Sequence, residues 1–152
     1  HIDAVDLSPD ALAVAQRNIS DYGLEARIEL IKSNAFAALA AKRYDLILSN
    51  PPYVTAESMA ILPAEYRHEP RLALAGGEDG LDFVHILLAQ AAAHLTPQGL
   101  LVVEIGHNQY ALEQAYPETS FIWLDTGYEE PSVFALARAD LPSKTLTQGD
   151  FS

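Results

Sequence analysis

The sequence contains no cysteine and few cationic residues. The absence of cysteine excludes disulfide bonds and thiolate metal sites, which is typical of a protein in a reducing compartment or one indifferent to redox conditions. Nine lysine and arginine residues stand against 21 aspartate and glutamate residues, a formal net charge of -12. Because phosphate binding needs clustered cations, this composition disfavours free nucleic acid as a partner. A basic protein fits better, although the acidity also serves solubility alone.

Long apolar runs are missing as well. The most apolar stretch, 83–95, contains His85, Gln90 and His94 and is too short to cross a bilayer. None of the five histidines has the spacing that places two metal ligands on one helical face, and no nucleophile-elbow motif occurs. We therefore predict no membrane span, no metal site and no serine-hydrolase chemistry.

The chain of 152 residues has 49% hydrophobic content, enough for one domain with its own core. Short apolar strands alternate with helices, which predicts an α/β fold. We predict strands over 1–7, 27–32, 44–48, 100–105, 121–124 and 133–137 and helices over 8–23, 81–95 and 108–116. The last two strands form a hairpin around 127–131, and residues 96–99 form the turn that ends the middle helix. The predicted domain covers 1–140, with a flexible tail over 141–152.

The first strand and helix carry the signals of a nucleotide-binding unit. Ser8 is a good N-cap, Pro9 suits the first helical position and Gly23 suits the C-terminal end. Asp6 ends the preceding strand, where an acid can accept hydrogen bonds from both hydroxyls of a ribose. A helix-capping or solvent-facing role for Asp6 is the simpler alternative.

The most informative stretch is the apolar run 46–48 followed by Asn50, Pro51, Pro52 and Tyr53. The run is typical of a parallel strand covered on both faces. The two prolines remove two N–H donors and present the Asn50 side chain and bare carbonyl oxygens at the end of the strand, where open α/β sheets bind ligands. The Asn50 side-chain oxygen and the Pro51 carbonyl can each accept a hydrogen bond from a planar amino group while the Tyr53 ring stacks on it. A Pro-rich turn with Tyr53 as packing is the alternative.

The connection from Val54 to Gly80 is long for a compact domain, and such loops are usually functional. We predict a lid over the substrate, with Arg67 and Glu69 fixing its base. A plain ion pair between these two side chains is equally compatible with the sequence.

The Asn50–Tyr53 motif resembles the signature of S-adenosylmethionine-dependent methyltransferases that modify amide or exocyclic amine nitrogens. With the segments Val5–Ser8, Ser33–Phe36 and 62–82, it makes residues 1–140 similar to the bacterial glutamine-N5 protein methyltransferases. Residues 65–82 are most similar to the branch that methylates a glutamine in the third protein of the large ribosomal subunit. The sister branch acts on the Gly-Gly-Gln loop of peptide release factors.

This resemblance implies a fold, a cofactor and a set of site residues. The fold is a Rossmann-like sheet with a C-terminal antiparallel hairpin, the cofactor is S-adenosylmethionine, the substrate is a basic ribosomal protein and the location is the cytoplasm. The implied catalytic residues are Asn50, Pro51, Pro52 and Tyr53, the cofactor residues are Asp6, Leu7, Asn34, Ala35, Phe36 and Asn50, and the substrate loop includes Arg67 and Glu69. Asn34 stands where the family commonly has an acid, and Phe36, at a strand-to-helix junction, is also a natural core residue.

One departure from the family is large. No Gly-rich loop precedes His1, so the family's first strand, central in its order 3-2-1-4-5-7-6, has no counterpart in the sequence. We therefore expect a fragment of the enzyme whose unpaired inner edges, roughly five residues each, favour self-association.

Two other functions compete with this interpretation. A DNA adenine-N6 methyltransferase shares the Asn-Pro-Pro-Tyr loop, but the strong acidity argues against it. A non-catalytic interaction module that has kept the sheet and lost the cofactor is the alternative from a different class. Cofactor affinity separates that module from an enzyme.

Overall fold

The computed structural model describes residues 1–55, 76–127 and 131–142. The chain divides into two compact units, unit 1 over His1–Lys42 and unit 2 over Arg43–Ser152. Within the described ranges, no strand of unit 1 pairs with a strand of unit 2, so the strands form two sheets. This agrees with the expectation that the family's first strand has no counterpart and leaves two inner edges unpaired. None of the helices described is both long and apolar enough to cross a membrane.

Unit 1 is a strand-helix-strand unit. Strand β1 spans Ile2–Asp6, helix α1 spans Pro9–Asp21 and strand β2 spans Ile28–Lys32. The two strands are parallel, with Ile2 opposite Ile28 and Asp6 opposite Lys32. A parallel pair needs a crossover connection, and α1 supplies it.

Both predicted caps of α1 are present. The Ser8 hydroxyl accepts a hydrogen bond from the Ala11 N–H at 3.3 Å, and Pro9 opens the helix. At the other end Gly23 has φ +61, and the Leu24 N–H donates to the Ile19 carbonyl at 2.9 Å. These contacts satisfy backbone groups that helix ends otherwise leave unpaired, so the sequence determines both ends locally.

Unit 2 contains a mixed four-stranded sheet in the order β3-β4-β6-β5. Its elements are β3 (Tyr44–Ser49), α2 (Asp82–His94), β4 (Leu95–Glu104), α3 (Gln109–Ala115), β5 (Ile122–Leu124), β6 (Val133–Ala137) and a 3₁₀ turn (Arg138–Asp140). Strands β3 and β4 are parallel, whereas β6 runs antiparallel to both β4 and β5. The predicted C-terminal antiparallel pair is therefore confirmed, with β5 at the edge of the sheet.

The order of the strands agrees with the order expected from the family. The pair β1-β2 corresponds to family strands two and three, and β3-β4-β6-β5 corresponds to four, five, seven and six. Among the described residues, none forms a strand in the place of the family's first strand.

The predicted turn over 96–99 is wrong in position. Helix α2 ends at His94 and β4 starts at Leu95, so residues 96–99 belong to the span of β4. The register shifts there, since Tyr44 lies opposite Leu95 while Leu46 lies opposite Leu100. The extra residues are accommodated as an irregularity in β4, which a turn signal alone does not distinguish from a loop.

One face of the sheet in unit 2 is buried and the other is open. The buried apolar residues of α2 and of the sheet are Val84, Leu87, Leu88, Ala91, Leu101, Val103, Phe134 and Leu136. By contrast, Leu46 is 49% and Leu48 is 69% exposed. The prediction that β3 is covered on both faces is therefore wrong.

The predicted boundary between the domain and the tail, at residue 140, stays a prediction. Leu141 is only 9% exposed and follows the 3₁₀ turn, so it belongs to the folded part of unit 2. Residues 143–152 of the predicted tail lie outside the described residues.

Candidate functional site

The Asn50–Tyr53 loop follows β3 directly, at the carboxyl end of a parallel strand pair. Asn50 is exposed, Pro51 is buried, and Pro52 and Tyr53 are half-buried. The predicted loop is thus anchored by its first proline and presents the Asn50 amide to solvent. The anchor fixes the backbone, and the exposed side chain remains accessible. The role of the loop in binding an amide stays a prediction.

Residues from two other segments hold the loop in place. The Asn108 Nδ2 donates a hydrogen bond to the Tyr53 carbonyl at 2.8 Å and lies 3.5 Å from the Gly80 carbonyl. The Gly76 N–H donates to the Val54 carbonyl at 2.9 Å. A Cβ atom at Gly76 would lie 2.8 Å from the Pro52 carbonyl oxygen, so only glycine permits this close backbone approach.

The Tyr53 ring packs against the backbone of Gly106. A Cβ atom at Gly106 would lie 2.7 Å from two carbon atoms of the ring, and Gly106 has φ +57, which also favours glycine. The packing role considered for Tyr53 is therefore present. Because the side chain is only half-buried, part of it remains available for the stacking role, which stays a prediction.

A pocket of about 260 Å³ adjoins the loop. Its lining residues come from the ends of three strands and from the loop: Leu48, Ser49, Asn50, Val102, Glu104 and Val133. The walls are mostly apolar, and Glu104 supplies the carboxylate. No local pattern in the sequence indicates a role for Glu104, because only the pairing of β3 with β4 brings it to the pocket that Asn50 lines.

A second set of polar contacts supports the segment that precedes α2. The Leu81 N–H donates to Asp79 Oδ1 at 2.9 Å, and Asp79 Oδ2 lies 3.7 Å from His85 Nε2. His85 Nδ1 is 2.7 Å from the Tyr116 hydroxyl. Burial, reinforced by the Asp79 charge, raises the pKa of Tyr116 above its ordinary value of 10.0. These contacts tie the Gly76–Gly80 segment to α2 and to the end of α3.

In unit 1, Asp6 and Leu7 lie at the carboxyl end of β1, as predicted. Asp6 is exposed, and its Oδ1 accepts a hydrogen bond from the Ser8 N–H at 2.7 Å. The simpler capping role for Asp6 is therefore present. Leu7 is 44% exposed, so its side chain is accessible to a ligand.

Asn34, Ala35 and Phe36 follow β2. Asn34 is exposed, and Ala35 has φ +46, a left-handed conformation that is uncommon for alanine. Phe36 is only 7% exposed and is buried in unit 1, as are Ile19 and Leu39. The core role is therefore present for Phe36, and its contact with a cofactor stays a prediction.

Unit 1 also brings together three side chains that the spacing of the sequence did not connect. His1, Asp3 and Glu29 offer ligand atoms within 4.8 Å of one another. The Lys42 ammonium already lies 2.8 Å from Asp3 and 3.4 Å from Glu29. The hydrogen bond to Asp3 raises the pKa of Lys42, partly opposed by desolvation. These side chains form an ion-pair cluster, in which the Lys42 ammonium supplies the positive charge that a metal ion would supply.

The predicted substrate-loop residues, Arg67 and Glu69, lie outside the described residues.

Comparison with known proteins identifies the class first. The family model of the methyltransferase small domain matches residues 1–64. The solved methyltransferase from Pyrococcus furiosus aligns over 90% of this chain and 61% of its own, with a TM-score of 0.60 and 18% identity. The Streptococcus mutans methyltransferase SMU.1697c, solved in complex with SAH, aligns over 89% of this chain and 74% of its own, with a TM-score of 0.55 and 12% identity. The fold is that of the Rossmann-like S-adenosylmethionine-dependent methyltransferases.

Sequence relatives identify the family within this class. A protein of Neisseria gonorrhoeae named ribosomal protein uL3 glutamine methyltransferase is 57% identical over 140 residues, covering 92% of this chain and 46% of the relative. The protein of the same name from Bordetella pertussis is 51% identical, with 92% and 47% coverage. Over most of its own length the chain is therefore similar to proteins named ribosomal protein uL3 glutamine methyltransferase. It spans about half the length of the curated relatives it matches.

Proposed function

We propose that the protein transfers a methyl group from S-adenosylmethionine to the side-chain nitrogen of a glutamine in a large-subunit ribosomal protein. The observation that carries this proposal is the Asn50–Tyr53 loop, held by Asn108 and Gly106 beside an open pocket at the carboxyl end of β3. The relatives' name, ribosomal protein uL3 glutamine methyltransferase, supports the choice of substrate.

The loop solves the main difficulty of the reaction. An amide nitrogen is a weak nucleophile because its lone pair is delocalised into the carbonyl, so its position relative to the methyl donor decides the rate. In our proposal the Asn50 side-chain oxygen and the Pro51 carbonyl accept the two N–H bonds of the substrate amide. The same two oxygens stabilise the positive charge that develops on the nitrogen during attack. The Tyr53 ring packs on the amide plane, and Pro52 keeps the loop rigid.

The anchoring contacts give the loop its preorganisation. Electrostatic stabilisation is most effective when the acceptor groups need no rearrangement as charge develops. The Asn108 hydrogen bond at 2.8 Å holds the Tyr53 carbonyl, and Gly106 leaves room for the ring. A base is not needed before attack, because the proton is acidic only after the nitrogen has been methylated.

Unit 1 supplies residues that fit the cofactor. When bound, S-adenosylmethionine provides an electrophilic methyl group on a sulfonium sulfur. Asp6 and Asn34 are exposed polar side chains at the carboxyl ends of the adjacent parallel strands β1 and β2. We assign Asp6 to the ribose hydroxyls, Asn34 to the adenine amino group, and Leu7, Ala35 and Phe36 to the apolar surroundings of the base.

The proposed substrate is a basic protein, and free nucleic acid is not a substrate in this proposal. The net charge of -12 favours encounter with a cationic partner. Arg67 and Glu69 are proposed to fix the base of the substrate loop. Modification of a ribosomal protein implies a cytoplasmic location.

The test is transfer of a labelled methyl group from S-adenosylmethionine to a mixture of ribosomal proteins, release factors and DNA. Two proteins are compared: this chain and a version extended to the length of the relatives. Label mapped to a glutamine of a large-subunit ribosomal protein supports the proposal. Label in a release factor or in DNA shows instead that this molecule is the substrate. Absence of label with both proteins rejects the enzyme and favours a non-catalytic interaction module.

A further inference from the structure

We propose that Glu104 selects substrates by pairing with a lysine or arginine side chain close to the target glutamine. The inference rests on the proposed function and adds to it a residue that determines specificity. It assigns a role to the pocket beside the Asn50–Tyr53 loop.

Asn50 and Glu104 both line the same pocket of about 260 Å³. Their strands are paired in parallel, with Leu48 opposite Val102, and two residues further along lie Asn50 and Glu104. Since side chains two residues apart in a strand point to the same face, the pairing brings Glu104 to the face that carries Leu48 and Val102. We infer that residues next to the target glutamine reach Glu104 when the substrate amide lies at Asn50.

The surroundings of the Glu104 carboxylate favour a cationic partner. Glu104 is half-buried, and the described residues offer it no hydrogen-bond or ion-pair partner. Three apolar side chains, Leu48, Val102 and Val133, line the same pocket. A carboxylate in such surroundings gains when a cation pairs with it, because apolar neighbours do not replace its hydration.

A lysine or arginine side chain matches the shape and the charge of the pocket. Lysine and arginine combine an aliphatic stem with a charged head, and they pack the stem on apolar surfaces while the head pairs with an anion. The pocket offers this combination, with the apolar walls for the stem and the Glu104 carboxylate for the head. A small inorganic cation would use only the carboxylate and leave the apolar walls bare.

The experiment is a double-mutant cycle on peptide binding. Each glutamine peptide carries a single lysine at one of the two positions before or the two positions after the glutamine. In a matched peptide, norleucine replaces this lysine, which keeps the aliphatic stem and removes the charge. The dissociation constants are measured by calorimetry for the unmodified chain and for Glu104→Gln. We expect the best lysine peptide to bind about fivefold more tightly than its norleucine counterpart, and Glu104→Gln to abolish the difference.

Two further variants keep the result interpretable. Glu118→Gln removes the same charge from an exposed position and should preserve the lysine preference. Glu104→Lys should reverse the preference, so that a peptide with glutamate in place of lysine binds more tightly. Equal affinity for lysine and norleucine peptides, or a preference that survives in Glu104→Gln, overturns the inference.

Methyl transfer to the same peptides distinguishes this inference from the proposed function. If both peptides are labelled on the glutamine but bind with equal affinity, the proposed function is supported and the role of Glu104 is rejected. A lysine preference that depends on Glu104, without label in the extended protein, retains the pocket and rejects the proposed reaction.

Discussion

At the scale of single residues, the candidate site depends on small contacts that fix the Asn50–Tyr53 loop. Asn108 holds the Tyr53 carbonyl from one side, and Gly106 accommodates the ring on the other. The chemistry we propose needs two acceptor oxygens at fixed positions, so these contacts matter as much as the acceptors themselves.

Asn50 itself is the most direct test of the proposed amide recognition. We expect Asn50→Ala to lower turnover at least 100-fold, which is the usual loss when one preorganised group that stabilises developing charge is removed. Affinity for S-adenosylmethionine, measured by calorimetry in the extended protein, should fall much less. Asn18→Ala, at an exposed position of α1, is the matched control. Equal losses of turnover and cofactor affinity would contradict the assigned role.

Gly106→Ala tests the seat of the Tyr53 ring. The added methyl group meets the ring at 2.7 Å, and the backbone has φ +57, so we expect about 1–3 kcal/mol of destabilisation together with displacement of the ring. Urea denaturation and methyl transfer measure the two effects. Gly127→Ala is a close control, because Gly127 has φ +78 and nothing lies within 4 Å of an added Cβ. If both variants lose the same activity, backbone strain alone is responsible.

Asn108→Ala removes a donor from the loop without adding volume. The Tyr53 carbonyl then loses its 2.8 Å hydrogen bond, and we expect a loss of about 1–2 kcal/mol of stability. Turnover should fall further, because the loop is no longer held. Thermal unfolding and turnover of Asn108→Ala and Asn108→Asp separate the two effects. The aspartate places an acceptor against the two carbonyls. If Asn108→Asp is as active as the original protein, the hydrogen bond from Asn108 does not hold the loop.

At the scale of elements, α2 and α3 are joined by the contact between His85 and Tyr116. The two rings lie 5.5 Å apart, and the Tyr116 hydroxyl is 2.7 Å from His85 Nδ1. Because Asp79 also contacts His85, the segment that precedes α2 is fixed by the same contacts. The position of the loop that Gly76 and Gly80 support therefore depends on the packing of two helices.

The raised pKa of Tyr116 predicts how this contact responds to pH. In the folded protein burial keeps the phenol neutral above its ordinary pKa of 10.0, whereas in the unfolded chain it ionises near that value. The stabilising contribution is therefore complete below pH 10.0 and is lost as the pH rises through the folded-state pKa.

Tyr116→Phe should reduce the loss of stability at alkaline pH, because no phenol remains to ionise in the unfolded chain. At neutral pH the same variant should lose about 1 kcal/mol with its hydrogen bond to His85. Urea denaturation at a series of pH values measures both effects. Tyr110→Phe, at a position that is 74% exposed, should change neither. An unchanged alkaline profile in Tyr116→Phe would show that other groups control it.

At the scale of the whole molecule, net charge and exposed apolar surface influence which partners the protein associates with. The net charge is -12, and unit 2 exposes five large apolar side chains on its sheet: Leu46, Leu48, Leu100, Ile122 and Leu124. Contiguous apolar surface of this kind promotes association. The expected self-association through unpaired sheet edges stays a prediction.

The charge predicts a salt-dependent encounter with basic substrates. We expect the association rate with a cationic ribosomal protein to fall about tenfold or more between low ionic strength and about 0.5 M salt, because exposed charges are then screened. Stopped-flow measurements with the proposed ribosomal protein substrate and with a charge-neutral peptide separate steering from the proposed local contact at Glu104. A rate that is independent of salt would exclude a steering role for the acidity.

The sequence by itself determined the features that depend on neighbouring residues. The caps Ser8 and Gly23 and the antiparallel β5-β6 pair follow from local signals. The motif Asn50–Tyr53 indicated the methyltransferases to which the chain is similar, and that resemblance implied the β1-β2 pair. Capping groups, prolines and glycines constrain the backbone within a few residues, so their effect can be predicted without knowledge of the rest of the fold.

Only the tertiary structure decided which distant residues support and line the site. Asn108 and Gly106 reach the loop through the end of β4 and the start of α3, and Glu104 reaches the pocket through the pairing of β3 with β4. The exposure of Leu48, the burial of Leu141 and the shifted register at Leu95 have the same origin. Each depends on which strands and helices pack together over long sequence separations, and the residue pattern of a single segment contains no record of its partner.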